Sequence, residues 1–349
     1  MREERQKKLR TAMFFLMMSM AVGVTDTEAA DTKDKAGGKA VQAGERVTIS
    51  GETIGVYLET AGVLVADIGT LNDSSGNHVT PAEHIARAGD YIQKVNDETI
   101  LTKSQLIDIM RENHGDEVAL SVCRDGETIE YKLEPAKTED GSYKLGLWVR
   151  DDLQGIGTMT YICENGNFGA LGHGISDSES GSLLSLSGGT LYKAGILEVK
   201  KGQSGSPGEL KGSICYADSE ILGTISENTS CGVFGRLSTP VNGITSAVVA
   251  SRDQLHTGNA CIYCNVGDGV QKYDIRIEKI RKNTEEKNKS FVIRVTDENL
   301  LEKTGGIVQG MSGAPILQDG KLVGAVTHVF VNDPTKGYGI FIENMLENH

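Results

Sequence analysis

The sequence predicts a mostly β protein of about two domains. Its 349 residues are enough for two domains of ordinary size. Glycine is abundant, at 43 residues, and it interrupts short apolar runs throughout the chain, as in strands joined by tight turns. Apolar residues at 38% and charged residues at 24% are typical of a folded, soluble protein. The formal charge of −13 argues against a nucleic-acid partner, because binding phosphates needs a basic face.

The amino terminus has the composition of an export signal. Five basic residues within positions 2–10 precede an apolar run over 12–24 that is too short for an ordinary membrane-spanning helix. We therefore assign residues 1–30 to a signal peptide or an uncleaved signal anchor. Residues 31–44 are small and polar and form a predicted linker.

Residues 45–136 alternate strand and turn patterns around one helix. The helix is predicted over 104–113, with Ser104 as its N-cap, and Asp125-Gly126 predicts a hairpin between 117–124 and 127–133. The motif A-G-D-x-I-x-x-V-N at 88–96, with the following helix, resembles a bacterial PDZ domain. The resemblance implies that a peptide end adds a strand to the sheet, held by the backbone of Ile54, Gly55 and Val56.

Residues 137–349 form a second β-rich domain in which two segments match the pattern G-x-S-G-x-P. One spans 310–315 with Ser312, and the other spans 202–207 with Ser204. Glycines beside a serine let the hydroxyl and nearby N–H groups face one point, as a nucleophile with an oxyanion hole requires. A plain turn between strands is the other interpretation of either segment, and the motif alone does not choose between them.

A serine nucleophile needs a histidine base and a group that orients the base. His173 has glycine on both sides, whereas His328 follows Ser312 on a strand and is interpreted as a structural residue or part of the substrate wall. Asp177 and Asp297 are both candidate acids. Each has a structural alternative: Asp177 could cap its own turn, and either Thr296 or Asp297 could be the N-cap of a short helix over 298–304 that stops at Gly305.

The ordered segments G-H-G-I-S-D at 172–177, G-S-P-G-E at 205–209, G-M-S-G-A-P at 310–315 and the block at 324–339 resemble the SpoIVB peptidase family. This resemblance implies a serine endopeptidase with a trypsin-like double β-barrel after the PDZ-like domain. It implies His173 as base, Asp297 as acid and Ser312 as nucleophile, with the backbone N–H groups of Gly310 and Ser312 as the oxyanion hole. Ser204 is then a turn residue.

The family resemblance also implies a regulatory role in spore formation. The enzyme is expected to act outside the cytoplasm, between the forespore and mother-cell membranes, where it cleaves itself and a membrane-bound regulator. That cleavage is expected to release an intramembrane protease and activate a late sigma factor. The alternative is an inactive, PDZ-led binding protein.

Six cysteines occur, and Cys261-x-x-Cys264 with His256 nearby could be half of a zinc or redox site. No second C-x-x-C pair accompanies them, so we expect buried thiols or one local disulfide. We expect neither a metal ion nor another cofactor.

Overall fold

The computed structural model describes residues 41–178, 180–241, 243–282 and 284–347, and it is mostly β, as the sequence predicts. The predicted signal segment and all of the predicted linker except 41–44 lie outside the described residues. No helix among the described residues is long and apolar enough to cross a membrane.

The elements in the first part of the chain are β1 (Arg46–Ile49), β2 (Thr53–Ile68), β3 (Leu71–Asn72), β4 (His78–Val79), β5 (Tyr91–Val95), β6 (Glu98–Thr99), α1 (Lys103–Glu112), β7 (Val118–Arg124), β8 (Glu127–Leu133), β9 (Ala136–Lys137) and β10 (Tyr143–Lys144). The middle part contains β11 (Leu147–Ile162), β12 (Asn167–Ala170), β13 (Leu186–Lys200), β14 (Gly208–Ile214), β15 (Ile221–Thr229), β16 (Gly232–Leu237) and β17 (Thr245–Val249). The last part contains β18 (Gly258–Asn265), β19 (Val270–Ile280), β20 (Phe291–Val295), α2 (Glu298–Thr304), β21 (Val308–Gln309), β22 (Pro315–Gln318), β23 (Lys321–Phe330), β24 (Asp333–Phe341) and α3 (Ile342–Leu346). Short 3₁₀ turns occur at Asp218–Glu220, Arg252–Gln254 and Lys287–Lys289.

Two closed barrels contain half of the 24 described strands. The first closes in the order β2, β11, β12, β16, β15, β13 and back to β2. The second closes in the order β18, β19, β20, β24, β23, β22 and back to β18. Each barrel is filled by its own cluster of buried apolar side chains. The double β-barrel that the sequence predicts is therefore present.

The PDZ-like unit is inserted into the first barrel rather than preceding it. Strands β2 and β11 are each 16 residues long and pair with one another along most of their length. Their barrel halves pair at 53–59 and 152–158, while their other halves, 64–68 and 147–150, belong to the PDZ-like sheet with β5, β7 and β8. This unit has its own core, to which Val65, Ile92, Leu106 and Leu120 contribute.

The structure corrects the predicted peptide-binding segment and the predicted domain boundaries. Ile54, Gly55 and Val56 lie in the barrel half of β2, where β11 pairs along one edge and β13 along the other. The Ile54 and Val56 side chains are fully buried in the first barrel. Because both edges are occupied, this segment cannot accept a peptide strand. Residues 45–60 accordingly belong to the barrels, and the PDZ-like unit extends past 136 to about 150.

Local predictions were more accurate. The helix over 104–113 is confirmed as α1, although its N-cap is Thr102, which forms a capping box with Gln105. The hairpin at Asp125-Gly126 is confirmed, and both turn residues have positive φ, as a type I′ turn requires.

Candidate active site

The segment 310–315 forms a tight loop between β21 and β22. Gly310 and Gly313 have φ of 97° and 95°, a conformation that favours glycine. A Cβ atom on Gly313 would lie 2.0 Å from the Thr158 carbonyl oxygen and 2.5 Å from the Leu171 nitrogen. Glycine is therefore needed at 313 both for its φ and for this close approach to the first barrel. We call residues 310–314 the nucleophile loop.

Ser312 is half-buried at the centre of the nucleophile loop. Its Oγ donates a hydrogen bond to the carbonyl oxygen of Thr327, at 2.8 Å. Among the described residues, its backbone N–H donates to no acceptor. The hydroxyl is therefore held by a backbone carbonyl, and a rotation about χ1 would break this hydrogen bond. The backbone N–H remains available to a ligand, as the oxyanion-hole prediction requires.

His173 follows β12 on a strained turn of the first barrel. Leu171 and Gly172 both have φ of 69°, and for a non-glycine residue this conformation costs roughly 1–3 kcal/mol. The His173 Nδ1 atom lies 2.8 Å from the carbonyl oxygen of Gly174. A carbonyl can only accept, so Nδ1 must carry the proton and Nε2 must carry the lone pair. This is the tautomer that a general base for serine needs.

The turn and the loop meet at Thr327 and His328 on β23. A Cβ atom on Gly172 would lie 3.0 Å from the Thr327 methyl carbon, and the His173 and His328 rings are 5.0 Å apart between centroids. Ser312 reaches the same place through its bond to the Thr327 carbonyl. The structure thus brings the predicted base and nucleophile to one location. Within the described residues, however, no hydrogen bond joins Ser312 to either ring.

Burial disfavours the charged form of both imidazoles. Burial lowers the pKa of His173 below the usual histidine value, and the hydrogen bond to the Gly174 carbonyl partly opposes that shift. Burial, with smaller contributions from His173 and Lys289, lowers the pKa of His328 to about 3. The His328 Nδ1 atom is buried and has no hydrogen-bond partner among the described residues. His328 therefore presents an uncharged ring to the proposed base at neutral pH.

Asp297 does not join this cluster. It is the N-cap of α2, where its Oδ1 atom accepts from the Leu300 N–H at 3.1 Å and its Oδ2 atom accepts from the Asp274 N–H at 3.3 Å. Its negative charge is felt by Cys264 and Tyr273 in the second barrel, where it adds to the effect of burial in raising their pKa values. No hydrogen bond connects Asp297 to His173 in the described part of the chain. The family-derived acid is a helix cap here, and α2 ends at Gly305, as the structural alternative expected.

The other candidate acid and the second serine motif also have structural partners. Asp177 accepts from the Ser180 N–H at 2.9 Å and lies 3.6 Å from Arg150. Ser204 is exposed, and its hydroxyl donates to the Asn332 carbonyl oxygen at 2.9 Å. The segment 202–207 is thus a surface turn that packs against the β23–β24 connection.

The PDZ-like sheet has an open edge that the sequence did not identify. Residues 147–150 of β11 pair with β2, and their opposite edge pairs with no strand among the described residues. Helix α1 runs beside this edge, where Lys103 contacts Asp151. Ile107 is on the same helical face one turn later and is 44% exposed. Leu145-Gly146-Leu147, with Gly146 at a φ of 69°, supplies the apolar-glycine-apolar pattern at the start of this edge.

The described cysteines and acids form no further centre. All six cysteines are free thiols, and no group of three or more His, Cys, Asp or Glu in the described ranges could hold a metal ion. His256, close to Cys261 in the sequence, instead contacts Asp319 through Nε2 at 2.8 Å.

Comparisons with known proteins were made over the whole chain. The family model described as SpoIVB peptidase S55 matches residues 141–346. The active form of the Rv3671c protease from M. tuberculosis is 14% identical over 56% of this chain and 74% of that chain, with a TM-score of 0.34. The PDZ domain of the SdrC-like protein from Listeria innocua is 21% identical over 25% of this chain and 92% of that one, with a TM-score of 0.22. A variant of the HtrA-type protease AlgW with a decapeptide is 12% identical over 86% of this chain and 63% of that chain, with a TM-score of 0.35. No curated protein matches.

Asp297 could act as a helix cap or as the triad acid, and the variant Asp297→Asn should behave differently in the two cases. Asparagine caps a helix about as well as aspartate but cannot supply a carboxylate. As a cap, Asp297→Asn should leave the rate at which a fluorophosphonate labels the enzyme within about two-fold, whereas Asp297→Ala should lower the free energy of unfolding by ~1 kcal/mol. As the triad acid, Asp297→Asn would lower turnover by roughly 10⁴-fold. Labelling kinetics and denaturant unfolding of both variants distinguish the two roles.

Proposed function

Because this chain belongs to the SpoIVB peptidase family S55, we propose that it cleaves polypeptides with Ser312 as nucleophile and His173 as general base. One observation supports this most directly: the two residues come from different barrels and meet at Thr327 and His328. Serine peptidases of the double-barrel type place their site between the barrels in this way.

Hydrolysis would proceed in two steps. Ser312 Oγ turns from the Thr327 carbonyl to His173 Nε2, gives up its proton and attacks the substrate carbonyl carbon. The oxyanion accepts hydrogen bonds from the backbone N–H groups of the nucleophile loop, Ser312 and Gly310. His173 then protonates the amine as the C–N bond breaks, leaving an acyl ester on Ser312. Water then gives a proton to His173 and attacks the carbonyl carbon of the ester. The C–O bond to Ser312 breaks, the carboxylic acid product leaves, and His173 returns the proton to Ser312 Oγ.

The Gly174 carbonyl takes over the orienting role of the acid. In trypsin-like enzymes, changing the acid to its amide costs about 10⁴-fold in turnover, because the imidazole takes the wrong tautomer. Here the tautomer is set by a backbone acceptor at 2.8 Å. A carbonyl dipole stabilises the imidazolium less than a carboxylate does. The neutral His328 ring adds no positive charge that would repel the imidazolium of His173.

Active-site labelling tests the choice of nucleophile. A fluorophosphonate should label the wild type, Ser204→Ala should label at the wild-type rate, and Ser312→Ala should not label. On incubation, any self-cleavage of the wild type should be absent in Ser312→Ala. Labelling that survives in Ser312→Ala, or is lost in Ser204→Ala, would contradict the assignment. A folded wild type that never labels would favour the alternative, an inactive PDZ-led binding protein.

We propose further, from family membership and the predicted signal segment, that the enzyme works outside the cytoplasm, between the membranes around the forming spore. There it would cleave itself and a membrane-bound regulator, releasing an intramembrane protease that activates a late sigma factor.

We also propose that the open edge at 147–150 receives the carboxyl end of a peptide as an added strand. An unpaired edge offers backbone donors and acceptors, and α1 beside it offers the exposed Ile107 to an apolar side chain. The turn at Leu145-Gly146-Leu147 lies at the end of the edge where a peptide carboxylate would bind.

A binding experiment tests this edge. Peptides with free carboxyl ends are selected from a random pool on Ser312→Ala protein, and the best binder is titrated calorimetrically. Ile107→Asp should weaken binding at least about ten-fold, since it replaces an apolar contact by a charge. Leu197→Asp, at an exposed leucine on β13, should not change it. Equal binding of the amidated peptide, or no loss in Ile107→Asp, would contradict the proposal.

A further inference from the structure

We propose that Thr158 and Thr160 of β11 are positioning residues that aim the nucleophile loop, and that Thr158 also sets the spacing between the loop and the turn carrying His173. The inference rests on the proposed function, because it assigns a purpose to the geometry around Ser312.

Three carbonyl groups of the nucleophile loop are held by these two threonines. Thr158 Oγ1 donates to the Gly310 carbonyl oxygen at 2.9 Å, and the Thr158 N–H donates to the Ser312 carbonyl oxygen at 2.9 Å. Thr160 Oγ1 donates to the Gly313 carbonyl oxygen at 2.8 Å. Both threonines are buried, so water does not compete for these bonds. One strand of the first barrel therefore holds a loop of the second barrel at three of its carbonyl groups.

These bonds fix peptide planes and not only positions. The C=O and N–H of a trans peptide point in opposite directions, so holding one end orients the other. Across the loop from the threonines, the Met311 N–H donates to the Val308 carbonyl and the Gly313 N–H donates to the Val326 carbonyl. The Gly310–Met311 and Ser312–Gly313 peptide planes are thus held at both ends.

The peptide plane between these two joins the Met311 carbonyl to the Ser312 N–H. Its carbonyl, on Met311, accepts from the Ala314 N–H at 2.9 Å, while the Ser312 N–H donates to no acceptor in the described part of the chain. The direction of the Ser312 N–H is consequently set by the two neighbouring peptide planes, which are held by hydrogen bonds. Because Gly310 and Gly313 are the most flexible residue type, the loop does not hold this direction by itself. The threonine hydroxyls supply the missing constraint.

Thr158 also reaches the other half of the site. Its carbonyl oxygen accepts from the Leu171 N–H at 3.2 Å, two residues before His173. The same residue therefore binds the Gly310 carbonyl, the Ser312 carbonyl and the turn that carries the base. A displacement of about 1 Å between catalytic groups can lower the rate by about 10²-fold. The contacts of Thr158 with both segments should therefore affect the reaction rate.

Isosteric substitutions separate positioning from packing. Thr158→Val and Thr160→Val keep the side-chain volume but leave the Gly310 or Gly313 carbonyl unpaired. We expect the maximal rate of fluorophosphonate labelling, kinact, to fall by about 10- to 10²-fold, with KI changed less than two-fold. Thr158→Ser and Thr160→Ser, which keep the hydroxyl, should restore the wild-type rate. Thr60→Val removes another buried hydroxyl bond, from Thr60 to the Gly62 carbonyl, and should leave kinact unchanged.

The outcomes are separable. If either valine variant folds, as judged by its thermal transition, and labels at the wild-type rate, the positioning role of that threonine is overturned. Equal losses in Thr60→Val would also overturn it, because the effect would then be general destabilisation. If Ser312→Ala is still labelled, the proposed function fails and the inference falls with it. If Ser312→Ala is unlabelled while both valine variants react normally, only the positioning inference fails.

Discussion

The close approach of the nucleophile loop to strand β11 is the constraint on which the rest of the site depends. Gly313 packs against the backbone of Thr158 and Leu171 with no room for a Cβ atom. That contact requires glycine, and glycine removes the loop's own stiffness, so hydrogen bonds from the first barrel must hold it. The same strand continues into the PDZ-like sheet, where its other half forms the open edge at 147–150. The open edge at 147–150 thus belongs to the same strand that contacts the loop at 310–314 and the turn before His173.

Among the described residues, a backbone carbonyl and not a carboxylate accepts a hydrogen bond from the His173 ring. The Gly174 carbonyl holds the proton on His173 Nδ1, and the buried, neutral His328 ring packs against the imidazole. The Gly174 backbone can come this close to β15 only without a side chain, because a Cβ atom there would lie 2.5 Å from the Thr229 carbonyl oxygen. This accounts physically for the glycine that follows the histidine. Asp297, by contrast, caps α2 and accepts from the Asp274 N–H.

The sequence predicted the features that depend on residues close together in the chain. The hairpin at 125–126, the short helix capped at Asp297 and the mostly β class all depend on neighbouring residues, and all are present. Long-range pairing was the weak point. Ile54-Gly55-Val56 has the pattern of a PDZ strand, but its partners in β11 and β13 lie roughly a hundred or more residues away, and only pairing decides its place. Thr158 and Thr160 lie in the buried stretch 157–162 of β11, and two hydroxyls at such positions are the signal in the sequence for the loop contacts.

The state of the His173 ring tests the account most directly. A ¹⁵N-resolved NMR titration of the histidines in Ser312→Ala protein reports which ring nitrogen carries the proton and at which pH the ring gains a second one. At neutral pH we predict a proton on His173 Nδ1 and none on His173 Nε2. We also predict a His173 pKa below the usual histidine value and a His328 ring that stays neutral down to about pH 3. In Asp297→Asn the His173 signals should not change. A proton on Nε2, or a His173 pKa that shifts when Asp297 is neutralised, would contradict it.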